Sequence, residues 1–452
     1  MMNRRTFLQQ SASGLATAAL SRIASAASAR PPNFIVVLCD DLGFGDIGAF
    51  GATRMRTPNL DRMARAGTVL TDFYAAANLC TPSRAGLLTG RYPIRTGLAY
   101  EVIIQNDTRG LPQSEVTIAE ALKPQYATAL IGKWHLGHVA PYWPPTTQGF
   151  DLFFGLPYSH DMKPLSLYES NGPGVELTRE DVDYPRLQQR FYNRAERFIE
   201  DNRARPFFLE LALSAPHLPN YPDIAHRGHS HGGAYGDVVE EIDALVGRLL
   251  AKLEALGLAR ETLVIVTSDN GPWFEGSPGP LRGRKGAAGY DGGYRVPFIA
   301  WQPGRVPAGR TVHSMAMAID LLPTFCGMAG KPLPTGVLLD GIDITDVLLR
   351  GAPSPHDELV LFDNENVVAI RTQRWKYSVN DYYRGLDFGL ENKGYDQLYD
   401  MQTPEAENYS VAARYPAVLA DMQARLQRAR ATFGPLKSKE VPEAWRALGA
   451  AL

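Results

Sequence analysis

Cysteine is scarce in this sequence of 452 residues. Its three cysteines, Cys39, Cys80 and Cys326, are too few for a disulfide framework, so any that matters acts through its own chemistry. No apolar run approaches the roughly 20 residues needed to cross a bilayer. Neither sign of charge is in excess. Lys plus Arg number 46 against 48 Asp plus Glu, a net charge of -2 with no long basic stripe, which excludes a dedicated nucleic-acid binder. Internal repeats and low-complexity tracts are missing too, and the composition excludes collagen-like, coiled-coil and disordered readings. What remains is a globular composition, 45% hydrophobic, long enough for a sizeable core and for two or three domains at about 150 residues each.

The first residues are read as an export signal rather than as part of the fold. Arg4-Arg5-Thr6-Phe7-Leu8 precedes a mildly apolar stretch from Gly14 to Ile23, and Ala27-Ser28-Ala29 offers a small-residue cleavage site. This pattern predicts a twin-arginine signal over residues 1–29, hence export machinery as a partner and a periplasmic or secreted location. The apolar stretch is short and interrupted by Ser21 and Arg22, so no stable membrane insertion is expected.

Past the signal, Phe34-Ile35-Val36-Val37-Leu38-Cys39 is a continuous apolar run suited to a strand buried on both faces, and it ends in Asp40-Asp41. Leu263-Val264-Ile265-Val266-Thr267 is a second such run, ending in Ser268-Asp269-Asn270-Gly271. Helical stretches at 57–67, 116–123, 186–203 and 236–256 alternate with short apolar runs at 127–131 and 206–213. That alternation predicts an α/β domain over 30–345 with helices on both faces of its sheet. Both acidic ends should then meet at one sheet edge. Beyond about residue 345, short alternating segments at 359–362, 367–371, 375–379 and 397–399 and an amphipathic helix near 415–432 predict a smaller α+β domain over 346–452. Gly- and Pro-rich stretches at 139–164 and 271–293 read as long loops, where sites are usually built.

Asp40, Asp41, Asp269 and Asn270 are hard oxygen donors of the kind Ca²⁺ or Mg²⁺ prefers. Either pair alone would be read as ordinary capping and turn formation, but two such pairs at strand ends point toward a metal. In Cys80-Thr81-Pro82-Ser83-Arg84-Ala85-Gly86-Leu87-Leu88-Thr89-Gly90-Arg91, Pro82 and Gly90 bracket a short helix. Cys80 then lies beside the N-terminal amides, with Arg84 one turn on.

This string resembles the signature of the formylglycine-dependent sulfatases, in which Cys, any residue, Pro, any residue, Arg is read by a formylglycine-generating maturation enzyme. Gly132-Lys133-Trp134-His135-Leu136-Gly137 resembles the second sulfatase signature. The likeness continues through Asp40-Asp41, Ala215-Pro216-His217, Ser268-Asp269-Asn270-Gly271, Leu281-Arg282-Gly283-Arg284-Lys285-Gly286 and Leu398-Tyr399-Asp400. Gly155-Leu156-Pro157-Tyr158-Ser159-His160-Asp161 resembles the arylsulfatase A and N-acetylgalactosamine-6-sulfatase branch.

The resemblance implies an alkaline-phosphatase-like mixed sheet flanked by helices, with the smaller C-terminal domain closing one side of the cleft. It implies a sulfuric ester hydrolase acting on small-molecule or glycan sulfate esters, with Cys80 converted to Cα-formylglycine, whose hydrate is the nucleophile. Asp40, Asp41, Asp269 and Asn270 with the modified Cys80 would bind Ca²⁺, with Mg²⁺ as the alternative ion. Arg84 would stabilise the hydrate, Lys285 or His217 would protonate the leaving alcohol, and His135 would take the proton that lets sulfate depart. Lys133 and Ser159 are carried over as sulfate or substrate contacts, together with His217 and Lys285. Lys133 and His135, two apart in an extended segment, should face one side.

Some residues depart from the family or fall outside it. After Lys285 the stretch to Gly293 is one residue longer than the usual pattern and has Asp291 where Glu is common, which blurs the placement of Lys285. His160 and Asp161 receive no role beyond shaping the pocket. His226, His229 and His231 are read as a solvated loop. Cys39 and Cys326 are read as buried thiols, with a role for Cys39 left open because it adjoins the metal pair. Two other functions would share much of this pattern. One is a phosphate or phosphonate ester hydrolase of the same superfamily, and the other is a sulfated-glycan-binding protein whose Cys80 is never matured.

Overall fold

The computed structural model describes residues 30–380, 395–403 and 407–451; the export signal at 1–29 lies outside the described residues. In chain order the strands of the main body are β1 (Asn33–Asp40), β2 (Thr68–Leu70), β3 (Phe73–Tyr74), β4 (Ala127–Lys133), β5 (Leu152–Leu156), β6 (Leu167–Ser170), β7 (Thr178–Glu180), β8 (Phe207–Pro216), β9 (Thr262–Ser268), β10 (Phe298–Trp301), β11 (Arg310–Val312) and β12 (Ala316–Met317). Ten of them form one sheet in the order β11-β2-β10-β9-β1-β8-β4-β5-β6-β7. Its centre is parallel: β1 pairs with β8 and β9, and β4 pairs with β8 and β5. Antiparallel pairing of β10 with β9 and of β6 with β5 makes the sheet mixed.

The apolar runs dictate this placement because a strand covered on both faces can place no polar residue in its interior cheaply. Along β1, Phe34, Val36 and Leu38 enter one core and Ile35, Val37 and Cys39 the other, as the two-residue period of a strand requires. The first core packs under helices Cys80–Thr89, Ile118–Leu122 and Leu321–Ala329. The second packs under helices Pro58–Arg65, Leu187–Asp201 and Gly233–Ala255.

The C-terminal part adds an antiparallel sheet of β13 (Leu359–Asp363), β14 (Asn366–Arg371), β15 (Trp375–Ser378) and β16 (Gln397–Asp400), with helix Pro416–Phe433 against it. Leu359, Leu361, Ile370 and Leu398 share the first core with Phe34 and Val36, so residues 32–452 form one compact unit. No helix among the described residues is long and apolar enough to cross a membrane. Two expected loops contain regular structure. The 139–164 stretch holds β5, and the 271–293 stretch runs into the short helix Asp291–Tyr294.

Candidate active site

Four adjacent parallel strands, β9, β1, β8 and β4, end on the same edge of the sheet. The first residues beyond or at their carboxyl ends are Asp269-Asn270, Asp40-Asp41, His217 and Lys133, as expected for a ligand site in an open α/β sheet. Helix Cys80–Thr89 supplies Cys80 at its first residue and Arg84 one turn on, and every residue of it is buried. It stops at Gly90 in the left-handed region (φ 68°), whose amide donates to the Gly86 carbonyl. Gly86 is required by close packing, since a Cβ there would lie 2.5 Å from the Ala76 Cβ.

Donor atoms of Asp40, Asp41, Cys80 and Asp269 all lie within 4.8 Å of one another, and all four residues are buried. Asn270 Nδ2 donates to Asp41 Oδ1 at 2.7 Å and to the Gly271 carbonyl at 2.8 Å, while the buried Asn270 Oδ1 has no partner. An orphaned amide oxygen beside three carboxylates is the donor set a hard divalent cation completes, so these residues fit a Ca²⁺ or Mg²⁺ ion.

Cations surround the carboxylates. Lys133 Nζ donates to Asp40 Oδ2 at 2.7 Å, and Arg84 Nη2 lies 3.6 Å from Asp40 Oδ1. Arg84 also grips Asp269 Oδ2 through Nε (3.0 Å) and Nη2 (2.8 Å), and its Nη1 donates to the Lys133 carbonyl at 2.9 Å. Lys285 Nζ lies 2.8 Å from both oxygens of Asp41, and His217 Nε2 is 3.7 Å from Asp41 Oδ2. Burial pushes the Asp40 carboxyl up, but Lys133, His217, Arg84 and Lys285 together carry it well below the usual range. Burial and the neighbouring Asp40 charge instead raise Asp269 to about 6. The Cys80 Sγ sits 3.4 Å from Asp40 Oδ1, and burial raises its thiol far above the ordinary value despite Lys133 and Lys285. An unmodified Cys80 is therefore a poor thiolate nucleophile.

His135 is not in an extended segment. β4 ends at Lys133, and His135 takes φ 62°, a strained setting for a residue with a Cβ. Asp41 is held likewise at φ 67°. The turn at His135 is clamped by Thr81, whose hydroxyl donates to the His135 carbonyl at 2.9 Å and accepts the Ile103 amide at 3.0 Å. His135 Nε2 faces the Ile103 carbonyl at 2.9 Å, so Nε2 carries the hydrogen, leaving the buried Nδ1 as an unpartnered acceptor. Burial, then Lys133 and Arg84, hold its pKa well below the ordinary value, so the ring is a neutral base.

His217 is fixed by its Nδ1, which donates to the Leu218 carbonyl at 2.5 Å. Ser159 is buried in the turn that carries His160, whose ring packs against His217 at 5.7 Å between centroids. Cys39 points into the second core, away from the carboxylates, and only its carbonyl serves the site by accepting the Asp269 amide at 3.0 Å. Cys326 is buried. His229 and His231 are exposed and His226 half-buried, clear of the cluster.

Sequence reasoning passed over Thr81, Ser268, Asp46 and Tyr235. Ser268 Oγ accepts the Leu42 amide at 2.9 Å, and the Tyr235 hydroxyl donates to Asp46 Oδ2 at 2.6 Å and reaches the Asp41 carbonyl at 3.5 Å. Ser and Asp beside the two acidic pairs were the available signal, whereas Tyr235 arrives from a distant helix with none.

The Sulfatase family model matches residues 32–331. Arylsulfatase A of Homo sapiens is 37% identical over 473 aligned positions, covering 92% of each chain. N-acetylgalactosamine-6-sulfatase of Canis lupus familiaris is 36% identical, covering 81% of this chain and 76% of that one. Among solved structures, the PsFucS1 sulfatase from Pseudoalteromonas sp. superposes with a TM-score of 0.82 at 28% identity, covering 91% of this chain and 92% of the other.

Proposed function

Because this chain belongs to the sulfatase family, on the arylsulfatase A and N-acetylgalactosamine-6-sulfatase side of it, and is a sulfuric ester hydrolase, we propose that it hydrolyses sulfate monoesters at the cluster of Asp40, Asp41, Cys80, Asp269 and Asn270, with Cys80 matured to Cα-formylglycine and a divalent cation, Ca²⁺ by preference over Mg²⁺, held by the four carboxylate and amide residues together with the matured Cys80. The observation that carries this reading is the convergence of four buried donors within 4.8 Å of one another, ringed by Arg84, Lys133, Lys285 and His217. The three cations among them, Arg84, Lys133 and Lys285, suit an anionic ester better than a neutral substrate. A bound cation would neutralise sulfate charge and acidify the hydrated aldehyde.

The chain's own groups then divide the work. Lys133 and Lys285 bind and orient sulfate oxygens, and Arg84, locked by Asp269 and the Lys133 carbonyl, holds the nucleophilic hydroxyl in place. Lys285 or His217 gives a proton to the departing alcohol oxygen. His135 Nδ1, neutral and without a partner, takes the proton whose loss frees sulfate. Ser159, buried in the turn that carries His160, serves as a substrate contact. The substrates are sulfated carbohydrates or aryl sulfates; the similarity to an enzyme named for N-acetylgalactosamine 6-sulfate supports the sugar class. The Arg4-Arg5 leader supports export of the matured, folded chain to the periplasm or beyond.

The deciding experiment combines peptide mass spectrometry of Cys80 in protein from its native exported pool with paired rates on 4-nitrophenyl sulfate and 4-nitrophenyl phosphate. An aldehyde at Cys80, faster sulfate turnover and its loss in Cys80→Ala are expected. An intact thiol throughout would return the glycan-binding reading, and faster phosphate turnover the phosphate-hydrolase one.

A further inference from the structure

A line of rings leads outward from His217. His160 meets His217 edge to face at 5.7 Å, Tyr221 meets His160 at 5.9 Å, and Tyr184 packs on Tyr221 at 4.7 Å. The line begins 3.7 Å from the Asp41 carboxylate and ends at the surface, where Tyr221 is 39% exposed. It is rigid at its base. His160 Nε2 is bonded to the Pro219 carbonyl at 3.0 Å, and the space behind the rings amounts to about 10 Å³, the room of roughly one water. Lys163 Nζ lies over Tyr184 at 4.5 Å from its centroid, and the exposed Asp161 stands beside His160, so polar groups border the aromatic surface. Tyr221 thus presents part of its ring to solvent at the outer end of a row of rings whose inner end, His217, lies beside the Asp41 carboxylate.

We propose that Tyr221, backed by Tyr184, is the specificity-determining platform of this sulfatase, stacking on the pyranose ring of a sulfated sugar while the ester sits in the carboxylate cluster. This rests on the sulfate-ester reading above and deepens it. A flat aromatic face with a polar border suits a sugar, whose ring offers C–H groups on one face and hydroxyls around its edge. The platform touches only the alcohol half of the ester. Removing it weakens substrate binding and leaves both the chemistry and the binding of sulfate itself alone.

The test uses the full matured chain with Tyr221→Ala, Tyr221→Phe and, as a control on an exposed tyrosine far along the chain, Tyr409→Ala (75% exposed). N-acetylgalactosamine 6-sulfate, 4-nitrophenyl sulfate and an acyclic alkyl sulfate are the substrates, inorganic sulfate is the competitive inhibitor, and calorimetry reads binding of the sugar sulfate directly. Tyr221→Ala is expected to raise KM and the sugar dissociation constant about three- to tenfold, with kcat and sulfate inhibition unchanged. Tyr221→Phe and Tyr409→Ala should match the parent. An effect on 4-nitrophenyl sulfate alone would reassign the platform to aryl rings, overturning the sugar proposal. Equal loss on the acyclic ester, or a shift in sulfate inhibition, would show general damage and overturn it too, as would unchanged sugar binding. If the parent turns over no sulfate ester, the hydrolase reading fails separately, and calorimetry alone still judges the platform.

Discussion

Glu210 stands in the middle of β8, between Val36 of β1 and Leu130 of β4, fully buried and with its Oε2 unpartnered. A carboxylate in that setting loses its hydration with nothing in return, and burial, only partly opposed by Arg84, raises its pKa to about 7. Unfolded, the group would titrate near the ordinary glutamate value of 4.5. Between those values the folded chain holds a proton that the unfolded chain has released. Stability therefore falls as pH rises from about 4.5 to about 7 and stays lower above it, by about 3 kcal/mol. Glu210→Gln removes this ionisation, so its thermal midpoint should exceed the parent's at pH 8 and fall less between pH 5 and 8. Parallel pH profiles of the two proteins would refute the assignment. His135 gives a second test at this scale. His135→Ala should lower kcat by about 10²–10⁴-fold with KM nearly unchanged, since its free Nδ1 is assigned to proton transfer and not to sulfate binding. A rise in KM with kcat intact would move His135 to a binding role.

Among elements, the C-terminal sheet is tied to the catalytic loop by charge. Lys376 of β15, fully buried, donates to Asp291 Oδ1 at 2.7 Å and to Glu407 Oε1 at 2.6 Å, while the Asp291 amide donates to Glu407 Oε2 at 2.9 Å. Tyr74 donates to Asp291 at 3.1 Å, and Arg371 donates to Tyr74 at 3.0 Å and to Asp72 at 3.1 Å. Burial raises Asp291, but Lys376, Arg295 and Arg371 bring it down to about 2. Lys376→Met should cost about 3–5 kcal/mol in denaturant unfolding, because it strands two buried carboxylates, and Glu407→Gln in the same chain should recover part of it. A loss under 1 kcal/mol would mean that Arg295 and Arg371 alone suffice. The same network explains what the sequence could and could not convey. The apolar runs of β1 and β9 and their acidic ends were legible because a strand covered on both faces is strongly biased toward apolar residues, with Glu210 of β8 the costly departure. β5 was hidden in a Gly- and Pro-rich stretch, and its Gly155 is there because a Cβ would lie 1.8 Å from the Gly132 carbonyl oxygen. Asp291 seemed to unsettle Lys285, yet it answers to Lys376 and Glu407, partners far along the chain. Tyr184 and Tyr221 carried no signal, because only the fold brings their loops together.

At the scale of the whole molecule, the candidate cation site is assembled from β1, helix Cys80–Thr89 and β9, segments that lie far apart in sequence and meet only when the sheet is complete. An unfolded chain cannot present these donors together, so cation binding should be almost wholly a property of the folded state. Free energy of binding then adds to stability as the logarithm of ligand concentration over its dissociation constant, about 2.7 kcal/mol at one hundred times that constant. Without a cation, Asp40, Asp41 and Asp269 must be held together by Lys133, Arg84 and Lys285 alone, and Asn270 Oδ1 stays unsatisfied. Chelation should therefore lower the thermal midpoint of the full chain, and added Ca²⁺ should restore it in proportion to the logarithm of its concentration. Asp269→Ala removes one donor and the anchor of Arg84, so its midpoint should be lower and nearly indifferent to Ca²⁺. Glu210→Gln, which touches no donor, should keep the parent's full response. If the midpoint of the parent ignores both chelator and Ca²⁺ while activity persists, the buried carboxylates are neutralised by their own lysines and arginine, and the ion has no place in the site.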